Sequence, residues 1–414
     1  MKCPYLSRIF TGPLSGLVAL SFALLLSTAC SSGEEPDGKG GGASSDAGRK
    51  EETEWHDPDT KTLVKAKGST RYGRPDGPWT YWYESGEKRR EGSYQDGLED
   101  GLWITYFRSG AKETEETFVS GQLDGDKTVW YEGGAKNAFG RYERGKKQGL
   151  FEEWWENGNP KRSLTFDADV PQDKQVGWHE DGDKDFEMSF KDGERHGLEI
   201  RWHPGGQKAS EIRWEAGKRT GETTGWYPNG EKQLQGQYAD NKPVGAWLSW
   251  HPNGKKHQEG NHSDTGDKTG EWVTWHENGE VSNRATFVNG VIEGPSDSFF
   301  EDGILAERVE LLAGKPHGTL KAWYPGGKPM RRVEYVGGVE NGSVAAWYPD
   351  GAPQVSGSSK ENARDGVWFF WTSEGELSPE SGTYAAGKKT ADLSPEQLVE
   401  AATLAAERVE SMPE

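Results

Sequence analysis

The amino-acid sequence predicts an all-β fold: an elongated single-layer antiparallel meander of about 13 β-hairpin repeats with a C-terminal capping helix. Three observations predict it: a 24-residue period starting at Gly77, a glycine at position 9 of every period and an aromatic residue at position 5. Such a period is typical of arrays in which each unit packs only on its neighbours. Only 32% of residues are hydrophobic, whereas Trp occurs 19 times, so thin layers of aromatic side chains are expected.

Each repeat unit is numbered from its first residue, which is position 0. One residue is inserted between the eighth and ninth units. The units begin at Gly77, Gly101, Gly125, Gly149, Asp173, Gly197, Gly221, Gly245, Gly270, Gly294, Gly318, Gly342 and Gly366.

The position-9 glycine closes a predicted three-residue hairpin loop. Pro precedes Asn or Asp and then Gly in several units, as in Tyr227-Pro228-Asn229-Gly230, which is typical of a type I turn followed by a glycine bulge. Such a loop pairs position 6 with position 10 and position 5 with position 11. We therefore expect positions 3, 5, 15 and 17 to share the core face. A second turn, as at Asp96-Gly97, leads into the next unit.

Position 6 carries the candidate binding residues. It is expected to lie opposite the core face, together with the aromatic residues at position 2, such as Trp79. Either the sheet curls so that this aromatic stripe is packed, or the stripe is open and binds a protein or a glycan. The candidates are Tyr83, Tyr131, Trp155, His179, His203, Tyr227, His251, His276, Tyr324 and Tyr348.

The N-terminal residues 1–29 resemble a bacterial lipoprotein signal peptide. Lys2 and Arg8 precede a short apolar stretch, and Leu26-Ser27-Thr28-Ala29-Cys30 is similar to a lipobox, although Leu is usual where Ser27 stands. The resemblance implies cleavage before Cys30 and a lipid on its thiol. The other cysteine, Cys3, would be removed, which leaves no disulfide partner. Because Ser31 rather than Asp follows Cys30, the resemblance implies an outer-membrane lipoprotein facing the periplasm or the cell surface.

Three further segments follow the signal. Residues 30–67 are rich in Gly, Ser and acidic residues and are predicted to be a flexible linker. Residues 68–390 form the repeat array, and residues 391–414 form the helix. The helix begins with a capping box at Ser394-Pro395-Glu396-Gln397 and a staple between Leu393 and Leu398. Its apolar side, expected to cover the last strand, comprises Leu398, Ala402, Ala405, Val409 and Met412.

Composition and motifs favour binding over catalysis. The net charge is −19, and −21 once Lys2 and Arg8 are removed, so nucleic acid is not an expected partner. No serine-nucleophile elbow, zinc motif or phosphate loop occurs, so we expect no enzyme activity and no cofactor. Histidines at position 6 of successive units would stand ~9.5 Å apart, too far to share a metal. Asp181-Gly182-Asp183-Lys184-Asp185 lacks the glycine of a calcium loop, so no metal is expected.

The repeat resembles the bacterial variant of the MORN repeat. The resemblance rests on Gly77-Pro78-Trp79-Thr80-Tyr81-Trp82-Tyr83-Glu84-Ser85-Gly86-Glu87-Lys88 and covers Gly77 to Gly387. It implies extended hairpin arrays that serve as scaffolds, and some bacterial members carry an antitoxin label. We therefore expect a non-catalytic envelope scaffold for a protein partner. The alternatives are recognition of envelope polysaccharide or peptidoglycan by the aromatic stripe, and toxin neutralisation.

Overall fold

The computed structural model describes residues 48–406, which form one long open antiparallel sheet and one helix. Each strand pairs with the strands before and after it in the chain, so the sheet is a continuous meander. This confirms the predicted all-β meander.

The strands are short and nearly uniform in length. The first ten are β1 (Arg49–Trp55), β2 (Val64–Arg71), β3 (Arg74–Trp82), β4 (Lys88–Gln95), β5 (Leu98–Tyr106), β6 (Lys112–Val119), β7 (Gln122–Trp130), β8 (Lys136–Glu143), β9 (Lys146–Trp154) and β10 (Pro160–Asp167). The next ten are β11 (Val170–Trp178), β12 (Lys184–Lys191), β13 (Glu194–Arg195), β14 (Gly197–Trp202), β15 (Lys208–Glu215), β16 (Lys218–Trp226), β17 (Lys232–Ala239), β18 (Lys242–Trp250), β19 (Lys256–His262) and β20 (Lys268–Trp275).

The meander continues in the same way to the helix. These strands are β21 (Val281–Val288), β22 (Val291–Phe299), β23 (Leu305–Leu312), β24 (Lys315–Pro316), β25 (Gly318–Trp323), β26 (Pro329–Val336), β27 (Val339–Trp347), β28 (Pro353–Lys360), β29 (Ala363–Phe370), β30 (Gly382–Ala385) and β31 (Lys388–Ala391). The helix α1 spans Pro395–Ala406. Since β12 pairs with both β13 and β14, these two act as one interrupted strand, and β24 and β25 do the same beside β23.

The predicted hairpin loop is confirmed. In the first unit the Gly86 amide donates to the Tyr83 carbonyl (3.0 Å) and the Tyr83 amide donates to the Glu87 carbonyl (2.9 Å). Gly86 has a φ of +97°, which an L-residue adopts only at a cost, so glycine is needed there. At the opposite end of each hairpin, Asp96 (φ +51°) and Gly97 (φ +86°) form the second turn, with the two positive φ values of type I′.

The predicted core face was wrong, because a bulge follows every loop. Trp82 pairs with Lys88 as expected, but the next pair is Tyr81 with Arg90, so one residue is skipped. A one-residue slip moves a side chain to the other face. Positions 2, 4, 13, 15 and 17 therefore share one face, here called the aromatic face: Trp79, Tyr81, Arg90, Gly92 and Tyr94 in the first unit. Positions 1, 3, 5, 11 and 14 share the other, here called the ladder face: Pro78, Thr80, Trp82, Lys88 and Glu91.

A second irregularity builds the core of the aromatic face. Glu91 pairs with Ile104 and Ser93 with Asp100, so three residues from Gly101 onwards oppose the single Gly92. The bulge starts at Gly101, whose φ is +77°. It lays the indole of Trp103 on the backbone of Gly92, and Trp103 is 0% exposed.

Positions 15 and 2 are complementary in size along the array. Wherever position 2 is a large aromatic residue, the facing position 15 of the preceding unit is glycine. These pairs are Gly68 with Trp79, Gly92 with Trp103, Gly140 with Phe151, Gly236 with Trp247, Gly260 with Trp272 and Gly357 with Trp368. Elsewhere the pair is of two medium-sized side chains, such as Val333 and Val344, or an ion pair, such as Glu116 and Lys127 (2.7 Å). One layer is thus filled without a second sheet above it.

Aromatic rings at position 17 fill the space between these pairs. The Tyr94 ring stands edge-on to Trp103 at a centroid distance of 4.8 Å, and Tyr238 to Trp247 at 5.2 Å. Edge-to-face contacts of this kind are favourable beyond the area they bury. Aromatic side chains at positions 2 and 17 therefore pack against one another along the aromatic face.

The folded region begins earlier than the sequence analysis predicted. The segment 30–67 was expected to be linker, yet β1 lies within it and pairs with β2 from Arg49–Arg71 to Trp55–Val64. Almost every β1 side chain is exposed, so its pairing depends on backbone hydrogen bonds. Its polar sequence shields the edge of the sheet and carries no hydrophobic pattern that would reveal a strand. Residues 1–47, which include the predicted signal and Cys30, lie outside the described residues.

The helix has the predicted start but a different buried side. The Ser394 amide donates to Gln397 Oε1 (2.7 Å) and the Gln397 amide donates to Ser394 Oγ (3.3 Å), which confirms the capping box. Ala401, not the predicted Ala402, is buried against Phe369 and Trp371. Correspondingly, Leu393, Leu404 and the predicted Ala405 pack on that cluster, whereas Leu398 is 48% exposed.

The buried side of α1 contacts positions 3 and 5 of the last unit, Phe369 and Trp371, on the ladder face. It was expected to cover the last strand of the sheet, which is β31. Residues 407–414, with Val409 and Met412, are beyond the described residues. No helix between residues 48 and 406 has the length and apolar character needed to cross a membrane.

Candidate functional site

All ten candidate binding residues at position 6 make the same contact. Each directs a ring nitrogen or hydroxyl at the backbone carbonyl of position 5 in the next unit, over 2.8–3.4 Å. For example, Tyr83 Oη donates to the Tyr106 carbonyl at 2.8 Å, and His203 Nε2 lies 2.9 Å from the Trp226 carbonyl. Because a carbonyl only accepts, each histidine donates from Nε2. The column thus braces neighbouring hairpins.

The structural role of this column was missed in the sequence. Tyr, Trp and His share one property there, a donor at the far end of a ring, and that shared property was the available signal. Phe107 and Phe300 occupy position 6 in two units and lack such a donor. One donor of each of the ten residues is thus bonded within the protein, and binding of a ligand by this column stays a prediction.

The ladder face carries a regular arrangement of Lys, Glu and Trp. The position-11 lysine of one unit lies over the position-5 tryptophan of the next, 5.3–6.0 Å from the ring centroid, in six places. The same lysine also pairs with the glutamate at position 14, as Lys88 does with Glu91 (2.8 Å) and Lys256 with Glu259 (2.6 Å). The hydrogen bond from Lys88, followed by that from Tyr106, lowers the pKa of Glu91. The lysines with a glutamate at position 14 are therefore paired within the face, whereas Lys136 faces Phe139 and Lys232 donates to Gln235 Oε1 (3.0 Å).

Three leucines at position 1 add apolar surface to the ladder face. Leu102, Leu150 and Leu198 are 53%, 49% and 42% exposed. They alternate with Asp126 and Lys174 at position 1 of the intervening units. An apolar centre with charged neighbours is typical of a protein-binding surface.

The aromatic face has two grooves with the same construction. The first, about 140 Å³, is lined by Ala138, Tyr142, Lys147 and Phe151, and its charged lining also includes Lys127, Glu152 and Glu153. The second, about 210 Å³, is lined by Gln258, His262, Lys268 and Trp272 among others. In both grooves a lysine at position 22 lies against the aromatic residue at position 2 of the unit that follows; Lys268 is counted as position 22 because the inserted residue precedes it.

A pair of histidines lies outside both grooves. The rings of His251 and His257 are 4.6 Å apart between centroids, and His257 Nδ1 lies 3.2 Å from Ser249 Oγ. Burial, and secondarily the charge of His251, lower the pKa of His257. The sequence analysis considered only position 6 and so missed this contact with position 12. No group of three or more His, Cys, Asp or Glu side chains in the described part of the chain is placed to hold a metal.

The architecture defines a class of protein: a β-hairpin repeat array whose two faces carry different side-chain ladders. Five segments match the family model described as MORN repeat variant, namely residues 75–96, 147–168, 219–240, 243–264 and 268–289. Each match spans one hairpin with its loop in the middle, bounded by type I′ turns except between residues 263 and 267, where a loop with one positive-φ glycine, Gly266, joins the last two matches. No curated protein matches the chain.

Among solved structures, the chain is similar to parts of toxin complexes. The complexes TcdB2-TccC3 and TcdB2-TccC3-Cdc42 are 9% and 10% identical, cover 82% and 78% of this chain and give TM-scores of 0.16 and 0.14. A Photorhabdus luminescens Tc holotoxin pore is 10% identical, covers 82% of this chain and gives 0.14. The chain spans only 18–22% of the length of these proteins. TM-scores this low carry no argument about function.

Proposed function

We propose that this protein is a non-catalytic binding scaffold of the cell envelope, anchored by a lipid on Cys30, and that its ladder face binds a protein partner. The observation that carries the proposal is the single-layer array, which leaves both faces of a 31-stranded sheet without a covering layer over most of its length. An uncovered sheet of this size is a surface rather than a pocket, and protein interfaces are surfaces of this kind.

The ladder face suits a protein for two reasons. Its leucines are exposed and nearly regular in spacing, and its half-buried tryptophans are held in place by lysines, so little side-chain entropy is lost on binding. Several of its charges are already paired within the face, as between Lys184 and Glu187 (3.0 Å), so an apolar patch on a partner leaves these ion pairs intact.

Replacing Leu102, Leu150 and Leu198 together by serine is expected to weaken partner binding at least tenfold, because about half of each side chain would be buried at the interface. The measurement is capture of crosslinked partners by the full-length protein in envelopes of its own host. The matched control is serine at Val119, Val288 and Val336, which are 51%, 50% and 51% exposed at position 18, beside the type I′ turns. A partner that is retained by the leucine variant, or lost equally in both variants, would contradict the proposal.

Lipid anchoring is tested separately. The Cys30→Ser variant is expected to move from the membrane fraction to the soluble fraction, because the proposed thioether is the only membrane attachment in this scheme. Mass spectrometry of the mature N-terminus measures the same point directly in the unchanged protein. If the variant stays with membranes, or if Cys30 carries no acyl group, the anchor is excluded while the binding test stands.

Recognition of envelope polysaccharide has its own supporting observation, the two lysine grooves on the aromatic face. Toxin neutralisation has no feature of the described residues in its favour, and we do not propose it.

A further inference from the structure

The two grooves of the aromatic face repeat one design at equivalent positions. In the first, Lys147 Nζ lies 5.3 Å from the centroid of Phe151 and 4.8 Å from that of Phe166. In the second, Lys268 Nζ lies 4.0 Å from the centroid of Trp272 and 5.2 Å from that of Phe287. Each lysine occupies position 22, and its two rings occupy positions 2 and 17 of the next unit. The same arrangement of one lysine and two rings thus occurs twice, five units apart.

These lysines differ from the other cations at position 22. The arginines there have polar partners: Arg195 pairs with Glu199 (3.4 Å), and the Arg219 and Arg364 guanidiniums donate to the Tyr238 and Tyr384 hydroxyls (3.1 and 3.4 Å). Among the described residues, no carboxylate lies within ion-pair distance of Lys147 or Lys268. Other lysines, such as Lys136 and Lys161, also lie over a ring without an ion pair in the described part of the chain. Lys147 and Lys268 differ from them because each lies against two rings of the aromatic face.

The second groove is the better formed of the two. Ser249, Gln258 and His262 supply polar atoms beside Lys268, and Trp247 and Trp272 supply rings. The Trp247 indole nitrogen is buried without a hydrogen-bond partner, unlike that of Trp272, which donates to the Asn261 carbonyl at 3.1 Å. Burial also lowers the pKa of Lys268, so a bound anion would stabilise its charged form.

We propose that the Lys147 and Lys268 grooves are two subsites for the carboxylate-bearing sugars of one extended acidic polysaccharide. The carboxylate would pair with the ammonium group, and the C–H face of the sugar would pack on the half-buried rings of the same platform, such as Phe166 and Phe287. Each groove admits a small group only, which fits one sugar ring.

The spacing of the grooves favours a polymer over a folded protein. Ten strand steps separate β9 from β20, or about 48 Å along the sheet at ~4.8 Å per strand. A chain that repeats one acidic unit can reach both subsites with the same chemistry, and bivalent attachment strengthens binding without new contacts. The proposal shares with the proposed function only the statement that the array is a binding scaffold, and it concerns the opposite face.

The test titrates full-length protein in detergent with oligogalacturonates, short and long, and with neutral oligosaccharides of equal length. Acidic oligomers are expected to bind, neutral ones at least tenfold more weakly, and binding should fall with added salt. Lys147→Met and Lys268→Met should each weaken binding of short oligomers at the altered groove about tenfold. The double variant should also lose the extra affinity for long oligomers.

The matched control is Lys256→Met, which removes a lysine that is more exposed than Lys147 or Lys268 and is already paired with Glu259 on the ladder face. Lys268→Arg should retain most of the binding. Equal binding of acidic and neutral oligomers, unchanged binding by the double variant, or absence of binding at millimolar sugar would overturn the proposal. Tighter binding of poly-L-glutamate than of oligogalacturonate would also overturn it, in favour of an acidic peptide. The serine variant at Leu102, Leu150 and Leu198 should bind sugar normally, so this proposal and the protein-partner proposal fail separately.

Discussion

Valine in place of Gly92 is expected to destabilise the hairpins on both sides of it by about 3 kcal/mol, at the upper end of overpacking costs. A Cβ at this position would lie 2.2 Å from Cδ2 of Trp103, well inside the sum of the atomic radii. The indole cannot move aside easily, since it donates to the Ser93 carbonyl (3.1 Å) and lies under the Arg90 guanidinium at 4.3 Å. Amide exchange in β4 and β5 should accelerate about a hundredfold, measured by hydrogen exchange.

A control glycine and a Trp103→Val background test whether the contact with Trp103 causes the loss of stability. Gly133→Val adds the same atoms where a Cβ meets nothing within 4 Å, so its effect should stay within about 0.5 kcal/mol. In a Trp103→Val background, which leaves a void over Gly92, valine at position 92 should stabilise rather than destabilise. The protein already uses this combination at Val333 and Val344. A destabilising effect of equal size in both backgrounds would show that size complementarity is not what governs position 15.

The glycine columns explain how much of the fold was predictable. Position 9 and the type I′ turns depend on local backbone conformation, which residues such as Asn229 and Gly230 express directly in the sequence. Loop type and strand order therefore followed from the sequence alone. The glycines at position 0 and position 15 were visible too. The position-0 glycine Gly101 starts a bulge, and the position-15 glycine Gly92 leaves room for the Trp103 indole. Both roles depend on a contact between two units, so one unit alone does not predict them.

The face assignment failed because of one skipped residue. A bulge such as that at Arg89 carries no turn residue, and it reverses the face of everything beyond it. The bracing role of position 6 was not predicted for a related reason: residue type indicated an aromatic stripe, whereas the shared donor group bonds the backbone of the next unit. Ligand binding by this column stays a prediction. The lysine grooves need positions 2, 17 and 22 of two units together. The pattern of residues within a single unit therefore does not predict these grooves.

Methionine in place of Arg308 is expected to cost about 3 kcal/mol, since it leaves a buried carboxylate without its partner. Asp297 is 8% exposed and accepts two hydrogen bonds of 2.7 Å from the Arg308 guanidinium. The hydrogen bond with Asp297 raises the pKa of Arg308. Urea unfolding followed by tryptophan fluorescence, with hydrogen exchange in β22 and β23, measures the loss.

Arg284→Met is the matched control, because Arg284 occupies the same position 14 one unit earlier and is the other cross-strand neighbour of Asp297, but forms its ion pair with Glu271. Its partner Glu271 is 58% exposed at 3.3 Å, so removing this arginine should cost less than about 1 kcal/mol. Equal losses in the two variants would mean that burial of the Asp297 carboxylate is not the cause.

The double variant Asp297→Val with Arg308→Met separates the value of the ion pair from the cost of breaking it. Position 3 is apolar and buried in the preceding unit, where Val273 is 7% exposed, so the ladder face accepts valine at this site. Removing both charges avoids the desolvated carboxylate, and the double variant should recover most of the stability lost by Arg308→Met alone. If it remains as unstable as the single variant, the bidentate pair contributes directly to stability and the array depends on charge at this position. Recovery would instead mean that the fold tolerates the Asp297–Arg308 ion pair without gaining stability from it.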